Sequence, residues 1–200
     1  QAFLACARGT WKTPPRYVVL AGHGTYDYKN VLGFGDNLLP PLMVNTKYGL
    51  FASDGQLAPA GGLAIGRLPA ATAGEMATLV GKIAAYERGS GDWTKQVVMA
   101  SDGPDPNAGA FPQDSDDLAG LVPAPYAVDR IYLSQLPFQV AHARLISDLN
   151  RGAFLLNYIG HGSMFQFANN GLLTVGDVGS LANGDRLPVV LLDGSEHSYW

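Results

Sequence analysis

The sequence contains few of the residues that mark several common classes of protein. Its single cysteine, Cys6, excludes an internal disulfide and a paired-cysteine zinc site. Charged residues make up only 15% of the chain, and the formal net charge is -4. This mild acidity argues against a nucleic-acid partner, because a nucleic-acid groove needs a basic stripe. No apolar run approaches the length of a membrane-spanning helix, so we expect no membrane span in this segment.

Several sequence motifs are also missing. Without a Gly-x-Ser-x-Gly motif, the chain is not a hydrolase built on that nucleophile turn, and it has no phosphate-binding loop. The first residues, QAFLACARGTWK, lack the basic start and long apolar stretch of a signal peptide. They resemble the second half of a helix, and the last residues of the chain directly follow a predicted strand. We therefore expect a fragment of a longer chain, truncated at both ends.

What the chain does have is an alternation of short apolar runs with helical patterns. Its 200 residues, 47% of them hydrophobic, are enough for one globular domain over residues 1–200. Continuous apolar strands separated by helices predict an α/β fold, with a mostly parallel sheet between two helical layers. Strands are predicted at 17–21, 63–66, 97–100, 130–133, 153–159 and 188–192, helices at 72–89, 114–121, 141–150 and 174–183, and a long loop at 31–62.

The candidate catalytic residues follow the predicted strands, since ligands bind beyond the carboxyl ends of parallel strands. His161 stands between two glycines in LLNYIGHGS, and Ser195 lies in the loop after LPVVLL. If the last two strands are neighbours, these two side chains meet as a base and a nucleophile. The alternative is structural, because a histidine between glycines and a loop serine are both common turn residues.

Acidic residues and a second histidine allow two metal-binding interpretations. Aspartates between Asp102 and Asp117 form a solvated loop and helix start, or an oxygen-rich calcium site, although no ordered ligand spacing is present. A more remote alternative is a metal-dependent hydrolase that uses His23, Asp27 and His161. It requires these side chains to converge at metal-ligand distances, and no spacing in the sequence supports it.

Taken together, the motifs resemble the gingipain-type cysteine peptidases of family C25. The matching stretches, in family order across nearly the whole chain, are PRYVVLAGHGTYDYKN, LPPLMVNTKYGLFASDG, LAIGRLPA, KIAAYERGSGDW, FPQDSDDLA, LLNYIGHGS and LPVVLL. The resemblance implies a caspase-like three-layer α/β/α sandwich, a His–Cys dyad, a protein or peptide substrate, and secretion to the cell surface or exterior. It predicts no required cofactor and no oligomeric state.

The resemblance also implies roles for particular residues. His161 matches the family histidine, Gly162 would supply an oxyanion-binding backbone N–H, and Asp114 matches an acidic position that would orient the histidine. Calcium would bind at Asp102, Asp105 and Asp116.

Two positions depart from the family pattern. His23 replaces an aspartate after the first strand, and Ser195 occupies the place of the family thiol, or Gly194 does if the loop holds one extra residue. Cys6 cannot substitute, because it precedes the first strand.

The sequence therefore predicts a cysteine-type peptidase domain whose nucleophile position is not cysteine, and we expect the chain as written to be inactive. The alternatives are a secreted pseudo-peptidase that keeps the fold without catalysis, and a sortase-like transpeptidase of a secretion system. Neither substrate specificity nor the choice between protease and sortase can be derived from these residues.

Overall fold

The computed structural model of the chain describes residues 1–35, 37–47, 49–58, 62–163 and 165–193. Within the predicted domain the chain forms two compact units, Gln1–Gly81 and Lys82–Tyr199. Among the described residues, no helix is both long and apolar enough to cross a lipid bilayer.

The first unit contains a pair of parallel strands. Strand β1 (Tyr17–Ala21) follows helix α1 (Ala2–Thr10) and pairs in parallel with strand β4 (Ala64–Leu68). Both strands were predicted, β4 with its bounds shifted by one or two residues. Exposed and partly buried residues alternate along β1, so one face of the strand is more protected from solvent than the other.

The predicted long loop of this unit is only partly irregular. Strands β2 (Met43–Thr46) and β3 (Gly49–Ala52) form an antiparallel hairpin inside it, and a 3₁₀ turn covers Asp54–Leu57. The prediction of a structureless segment was therefore wrong over these residues. Strands of four residues carry too few positions for a period-two pattern to be recognised in the sequence.

The second unit holds a four-stranded sheet whose strands are all parallel. Its spatial order is β10-β7-β5-β6. The strands are β5 (Gln96–Ser101), β6 (Ala127–Tyr132), β7 (Leu155–Ile159) and β10 (Val189–Asp193), and the helices of the unit are the end of α2 (Ala73–Glu87), α3 (Phe111–Ala119) and α4 (Phe138–Arg151). The mixed α/β architecture with mostly parallel strands confirms the predicted fold class.

Helices cover both faces of the central strand β5. Val98 and Ala100 pack into a buried cluster with residues of α4, among them Leu145. Val97 and Met99, which alternate with them, pack on the other side in a cluster that includes Ala119 of α3. Because successive side chains of a strand point to opposite faces, this division places one helix on each side of the sheet.

Two predictions in this unit need correction. Residues 174–183 are not a helix: β9 (Leu173–Thr174), which pairs with β8 (Gln166–Phe167), ends there, and only a 3₁₀ turn follows at Val178–Ser180. The carboxylate of Asp177 accepts hydrogen bonds from the N–H and the hydroxyl of Thr174, which closes a local turn. The segment also holds Gly176 and Gly179, and glycine is a poor helix former.

Strand β10 is the second correction. Its apolar sequence predicts a buried strand, yet all five residues are exposed. It lies at the edge of the four-stranded sheet and pairs only with β7 within that sheet. The apolar composition of a strand does not show whether it lies at the edge or in the centre of a sheet, so the predicted burial was wrong.

Candidate active site

The candidate site lies at the carboxyl edge of the four-stranded sheet. The last residues of three neighbouring strands are in register, with Ser101 beside Ile159 and Ile159 beside Asp193. Backbone hydrogen bonds continue the register past the strands: Asp102 N–H donates to the Ile159 carbonyl at 3.0 Å, and Gly160 N–H to the Asp193 carbonyl at 3.2 Å. The sheet therefore places the residues that follow these strands side by side.

Gly160 allows His161 to approach the neighbouring strand closely. A Cβ atom at this position would lie 2.5 Å from the Cβ of Asp102 and 2.6 Å from the hydroxyl of Tyr158. Its φ of +155° is also one that residues with a side chain rarely adopt. Glycine is therefore required here by the close contact between the two strand ends.

The imidazole ring of His161 lies between two carboxylates. Its Nδ1 atom is 2.9 Å from Oδ2 of Asp102, and its Nε2 atom is 3.1 Å from Oδ2 of Asp105. A neutral imidazole has one N–H, so only the doubly protonated ring can donate to both acids at once. The His161 side chain is 22% exposed, which leaves it accessible to a substrate.

Both acids are themselves fixed by backbone groups. Gly103 N–H donates to Oδ1 of Asp102 at 2.7 Å, and Asn107 N–H donates to Oδ1 of Asp105 at 2.8 Å. Asp105 also closes a tight turn, because its backbone exchanges hydrogen bonds with Gly109. In each acid, Oδ1 therefore accepts a backbone hydrogen bond, and Oδ2 faces the ring of His161.

An aromatic side chain completes the immediate surroundings of the ring. Phe111, the first residue of α3, meets His161 edge to face, with ring centroids 5.1 Å apart. Phe111 is 4% exposed, so it forms a fixed apolar wall beside the imidazole.

The N–H of Gly162 points away from the hairpin that follows the histidine. Gly162 and Phe167 form an antiparallel bridge. The hydrogen bonds of this bridge come from its neighbours, Ala168 N–H to the His161 carbonyl and Ser163 N–H to the Gln166 carbonyl. Gly162 is thus in a non-hydrogen-bonded pair, whose N–H faces away from the partner strand, and its oxyanion-binding role stays a prediction.

The predicted nucleophile position, Ser195, and its alternative Gly194 lie outside the described residues. The structure does describe the strand that leads to them. Asp193 ends β10 and accepts the hydrogen bond from Gly160, the residue directly before His161. The end of β10 is therefore adjacent to the histidine turn.

The acids that contact His161 are not the acid that was predicted to orient it. Both ring nitrogens of His161 have carboxylate partners, and neither partner is Asp114, the acid expected to orient the ring. Asp116 pairs with Arg130 at 2.8 Å and accepts a hydrogen bond from Tyr132, so it does not complete a set with Asp102 and Asp105. The Arg130 hydrogen bond lowers the pKa of Asp116 below its usual value.

Within the described part of the chain, no group of three or more His, Cys, Asp or Glu side chains could hold a metal ion. The acids named for calcium thus do not fit it as a set, and calcium binding stays a prediction that a melting curve with calcium and with chelator would check.

The residues of the metal-dependent alternative have other partners. His23 Nε2 lies 3.2 Å from the carbonyl of Phe34. The carboxylate of Asp27 accepts the backbone N–H groups of Val31 at 2.8 Å and Leu32 at 2.6 Å. Both side chains therefore stabilise the loop that follows β1.

Sequence reasoning named Asp102 and Asp105 but missed their contact with His161. The rule that selected His161, that site residues follow the carboxyl ends of parallel strands, applies equally to Asp102, because Asp102 directly follows β5. It could be used only with the knowledge that β5 and β7 are neighbours. Tyr158, whose hydroxyl contacts the histidine turn, was missed altogether, since a tyrosine inside an apolar strand reads as core.

The second unit also has a groove that is separate from the histidine site. It has a volume of about 760 Å³ and is lined by apolar side chains of β10 and α2 and of the segment after β9. None of His161, Asp102 and Asp105 lines it, so its size says nothing about the chemistry at the sheet edge.

A model of peptidase family C25 matches residues 1–194 of the chain. No curated protein and no solved structure matches the chain.

Proposed function

Because this chain belongs to peptidase family C25, we propose that its second unit carries a peptide-bond-cleaving centre in which His161 is the proton carrier. The family match makes the chain a cysteine-type peptidase domain in general and implies a protein substrate. The observation that carries the assignment of His161 is its ring, held by Asp102 and Asp105 at the sheet edge next to the strand that leads to position 195.

The residues have complementary roles in this proposal. With a thiol at position 195, His161 takes the thiol proton, the sulfur attacks the scissile carbonyl carbon, and the carbonyl oxygen gains negative charge. The N–H of Gly162 donates to that oxygen. His161 gives its proton to the leaving amine as the carbon–nitrogen bond breaks, and water then hydrolyses the thioester. Asp102 fixes the ring orientation through Nδ1.

The chain has serine, not cysteine, at the position of the proposed nucleophile, 195. A serine hydroxyl is far less ionised near neutral pH than a thiol, so Ser195 would be a weak nucleophile even beside His161. We therefore expect no thiol-dependent peptidase activity from this sequence. Cys6 does not supply one: it is exposed on α1, and its sulfur lies 3.7 Å from the Thr10 hydroxyl.

A Ser195→Cys substitution tests the proposal directly. Protein carrying Cys6→Ser and Ser195→Cys is compared with the same protein that also carries His161→Ala, using a mixed peptide library and a thiol-reactive electrophile. Hydrolysis that requires both the introduced thiol and His161 supports the proposal. Thiol-sensitive hydrolysis by the unaltered chain, or none by the Ser195→Cys form, overturns it.

Two alternatives fit the same fold. A pseudo-peptidase is favoured by the absence of cysteine at position 195, and it would bind peptides without cleaving them. A sortase-like transpeptidase would use the same thioester but pass the acyl group to an amine. Adding an amine acceptor to the Ser195→Cys reaction and measuring product masses by mass spectrometry distinguishes transfer to the amine from hydrolysis. Export to the cell surface or exterior belongs to the same proposal and rests on the family resemblance, so fractionation of the producing cells would test it.

A further inference from the structure

Tyr158 lies beneath the histidine turn, three residues before His161 in strand β7. Its side chain is buried, with 3% exposure, and its ring stacks on Phe167 with centroids 4.5 Å apart and planes inclined by 12°. The ring therefore has one fixed position, and its hydroxyl points at the turn.

The hydroxyl of Tyr158 joins the two ends of the turn. It donates to the carbonyl of His161 at 2.5 Å and accepts the N–H of Ala168 at 2.8 Å. The Ala168 N–H also reaches the His161 carbonyl, at 2.7 Å. Three polar groups thus form a closed set around the backbone of the candidate catalytic residue.

The backbone of Ala168 is held in an uncommon conformation at this point. Its φ of 57° lies in the left-handed region, which residues other than glycine adopt only under strain. The residue is also 1% exposed, so its N–H cannot be satisfied by bulk water. The Tyr158 hydroxyl therefore helps to hold a strained residue in place opposite His161.

The protonation state of Tyr158 suits this role. Burial, with a smaller contribution from the charge of Asp102, raises its pKa above the usual value. The hydroxyl accordingly keeps its proton and remains a donor to the His161 carbonyl.

We propose that Tyr158 is a positioning residue: its hydroxyl fixes the backbone of His161 and so sets the imidazole between Asp102 and Asp105. The kinetic part of this proposal rests on the proposed function, but the structural part does not. A shift of the turn by about 1 Å would disturb the contacts of the ring with the two acids, and misplacement of that size can reduce a catalysed rate by about 10²-fold.

Tyr158→Phe removes the hydroxyl and keeps the stack on Phe167. Tyr132→Phe is the matched control, because Tyr132 is a fully buried tyrosine of the same sheet whose hydroxyl bonds Asp116 and not the histidine turn. The chain has only four histidines, so the imidazole signals of protein labelled with ¹⁵N-histidine can be assigned by substituting each in turn. Those signals and the exchange rate of the Ala168 amide are then measured for both variants.

We expect Tyr158→Phe to shift the His161 imidazole signals and to speed Ala168 amide exchange by at least tenfold, and Tyr132→Phe to change neither. In the Cys6→Ser, Ser195→Cys background, Tyr158→Phe should lower kcat by about 10–10²-fold and leave KM within about twofold. Equal effects of the two variants on the His161 signals, or unchanged signals in Tyr158→Phe, would overturn the proposal.

The two proposals can fail separately. If the Ser195→Cys protein hydrolyses nothing, the proposed function fails, while the imidazole signals still decide the role of Tyr158. If Tyr158→Phe does not fold, the unaltered chain provides the test. A Tyr158 hydroxyl proton in slow exchange and correlated with the Ala168 amide supports the proposal, and a rapidly exchanging one contradicts it.

Discussion

Two Gly-His-Gly turns in this chain have the same sequence and different surroundings. Gly22-His23-Gly24 follows strand β1 in the first unit, and Gly160-His161-Gly162 follows strand β7 in the second. Both strands are parallel to their partners, and both turns leave the strand at its carboxyl end.

The two histidines differ in what their ring nitrogens contact. His161 lies between the carboxylates of Asp102 and Asp105, while the Nε2 atom of His23 contacts a backbone carbonyl, that of Phe34. A carbonyl is a neutral acceptor that fixes the ring, but it offers no charge to stabilise an imidazolium. The same tripeptide is therefore a loop anchor in one place and a candidate proton carrier in the other. What separates them is the neighbouring strand, which supplies acids only at the second turn.

The largest expected effect comes from removing each histidine in the Cys6→Ser, Ser195→Cys protein. His161→Ala should lower peptide hydrolysis by about 10²–10⁴-fold, the usual contribution of a general acid–base residue. His23→Ala should leave the rate within about threefold, because it only loses a contact to a loop carbonyl. Initial rates on one substrate measure both, and comparable losses would end the distinction between the two turns.

Removing the charge of one acid gives the next largest effect. Asp102→Asn keeps the shape of the side chain but replaces a charged acceptor by a neutral one, which weakens its hydrogen bond to His161. Bonds to charged groups contribute about 1.5–3 kcal/mol, so kcat should fall by about 10–10²-fold. Asp27→Asn, the matched change behind the His23 turn, should affect stability and not kcat. A rate unaffected by Asp102→Asn would show that the acid does not orient the ring.

The glycines of the two turns should respond alike. A Cβ at Gly160 would lie 2.5 Å from Asp102 Cβ, and one at Gly24 would lie 2.2 Å from the carbonyl oxygen of Leu39. Since neither neighbour is the flexible end of a side chain, Gly160→Ala and Gly24→Ala should each lower the free energy of unfolding by about 1–3 kcal/mol. Urea denaturation monitors both. A tolerated alanine at either position would mean that the turn there is looser than described.

The smallest effect concerns pH and comes from Asp148, a buried acid on α4 of the second unit. Burial, with the neighbouring Asp129 next, raises the pKa of Asp148 from 3.8 to about 6. The folded state therefore holds this proton more tightly than the unfolded state. Its contribution to stability is present at low pH and is lost as pH rises from about 4 to 6.

The corresponding measurement is a set of urea midpoints at several pH values in that window. Asp148→Asn should flatten this part of the profile, while His161→Gln should leave it in place. The reverse result would assign the pH dependence to the histidine turn.

The sequence predicted the second unit better than the first, for reasons that individual elements make clear. Strand β5 is a run of six residues, five of them fully buried, and such a run is recognisable without knowledge of its neighbours. The hairpin of β2 and β3 is short and mostly exposed, so neither periodicity nor hydrophobicity marks it. Residues 174–183 were predicted as a helix, and the local hydrogen bonds between Thr174 and Asp177 that form there instead cannot be read from the residue types alone.

The site was predictable in part. The position of His161 after a buried strand, with a glycine on each side, was enough to select it. Its partners were not, because strand order is a tertiary property: Asp102 meets His161 only because β5 lies beside β7. Asp114 was chosen instead from a motif, and it lies on the first turn of α3, where its charge suits the helix N-terminus.

The parallel order of the sheet also has a consequence for how the protein acquires its chemistry. Asp102 and His161 are 59 residues apart in the chain, with β6 and α4 between them. Contacts at such separation form only after the entropy of closing the intervening loop has been overcome, which makes them late events in folding. A chain still emerging from the ribosome, with β5 exposed but β7 not yet made, has no acid–histidine pair. We expect the pair to appear together with the completed β5–β7 ladder, so that a newly synthesised or partly unfolded chain cannot present the acid–histidine arrangement to its surroundings.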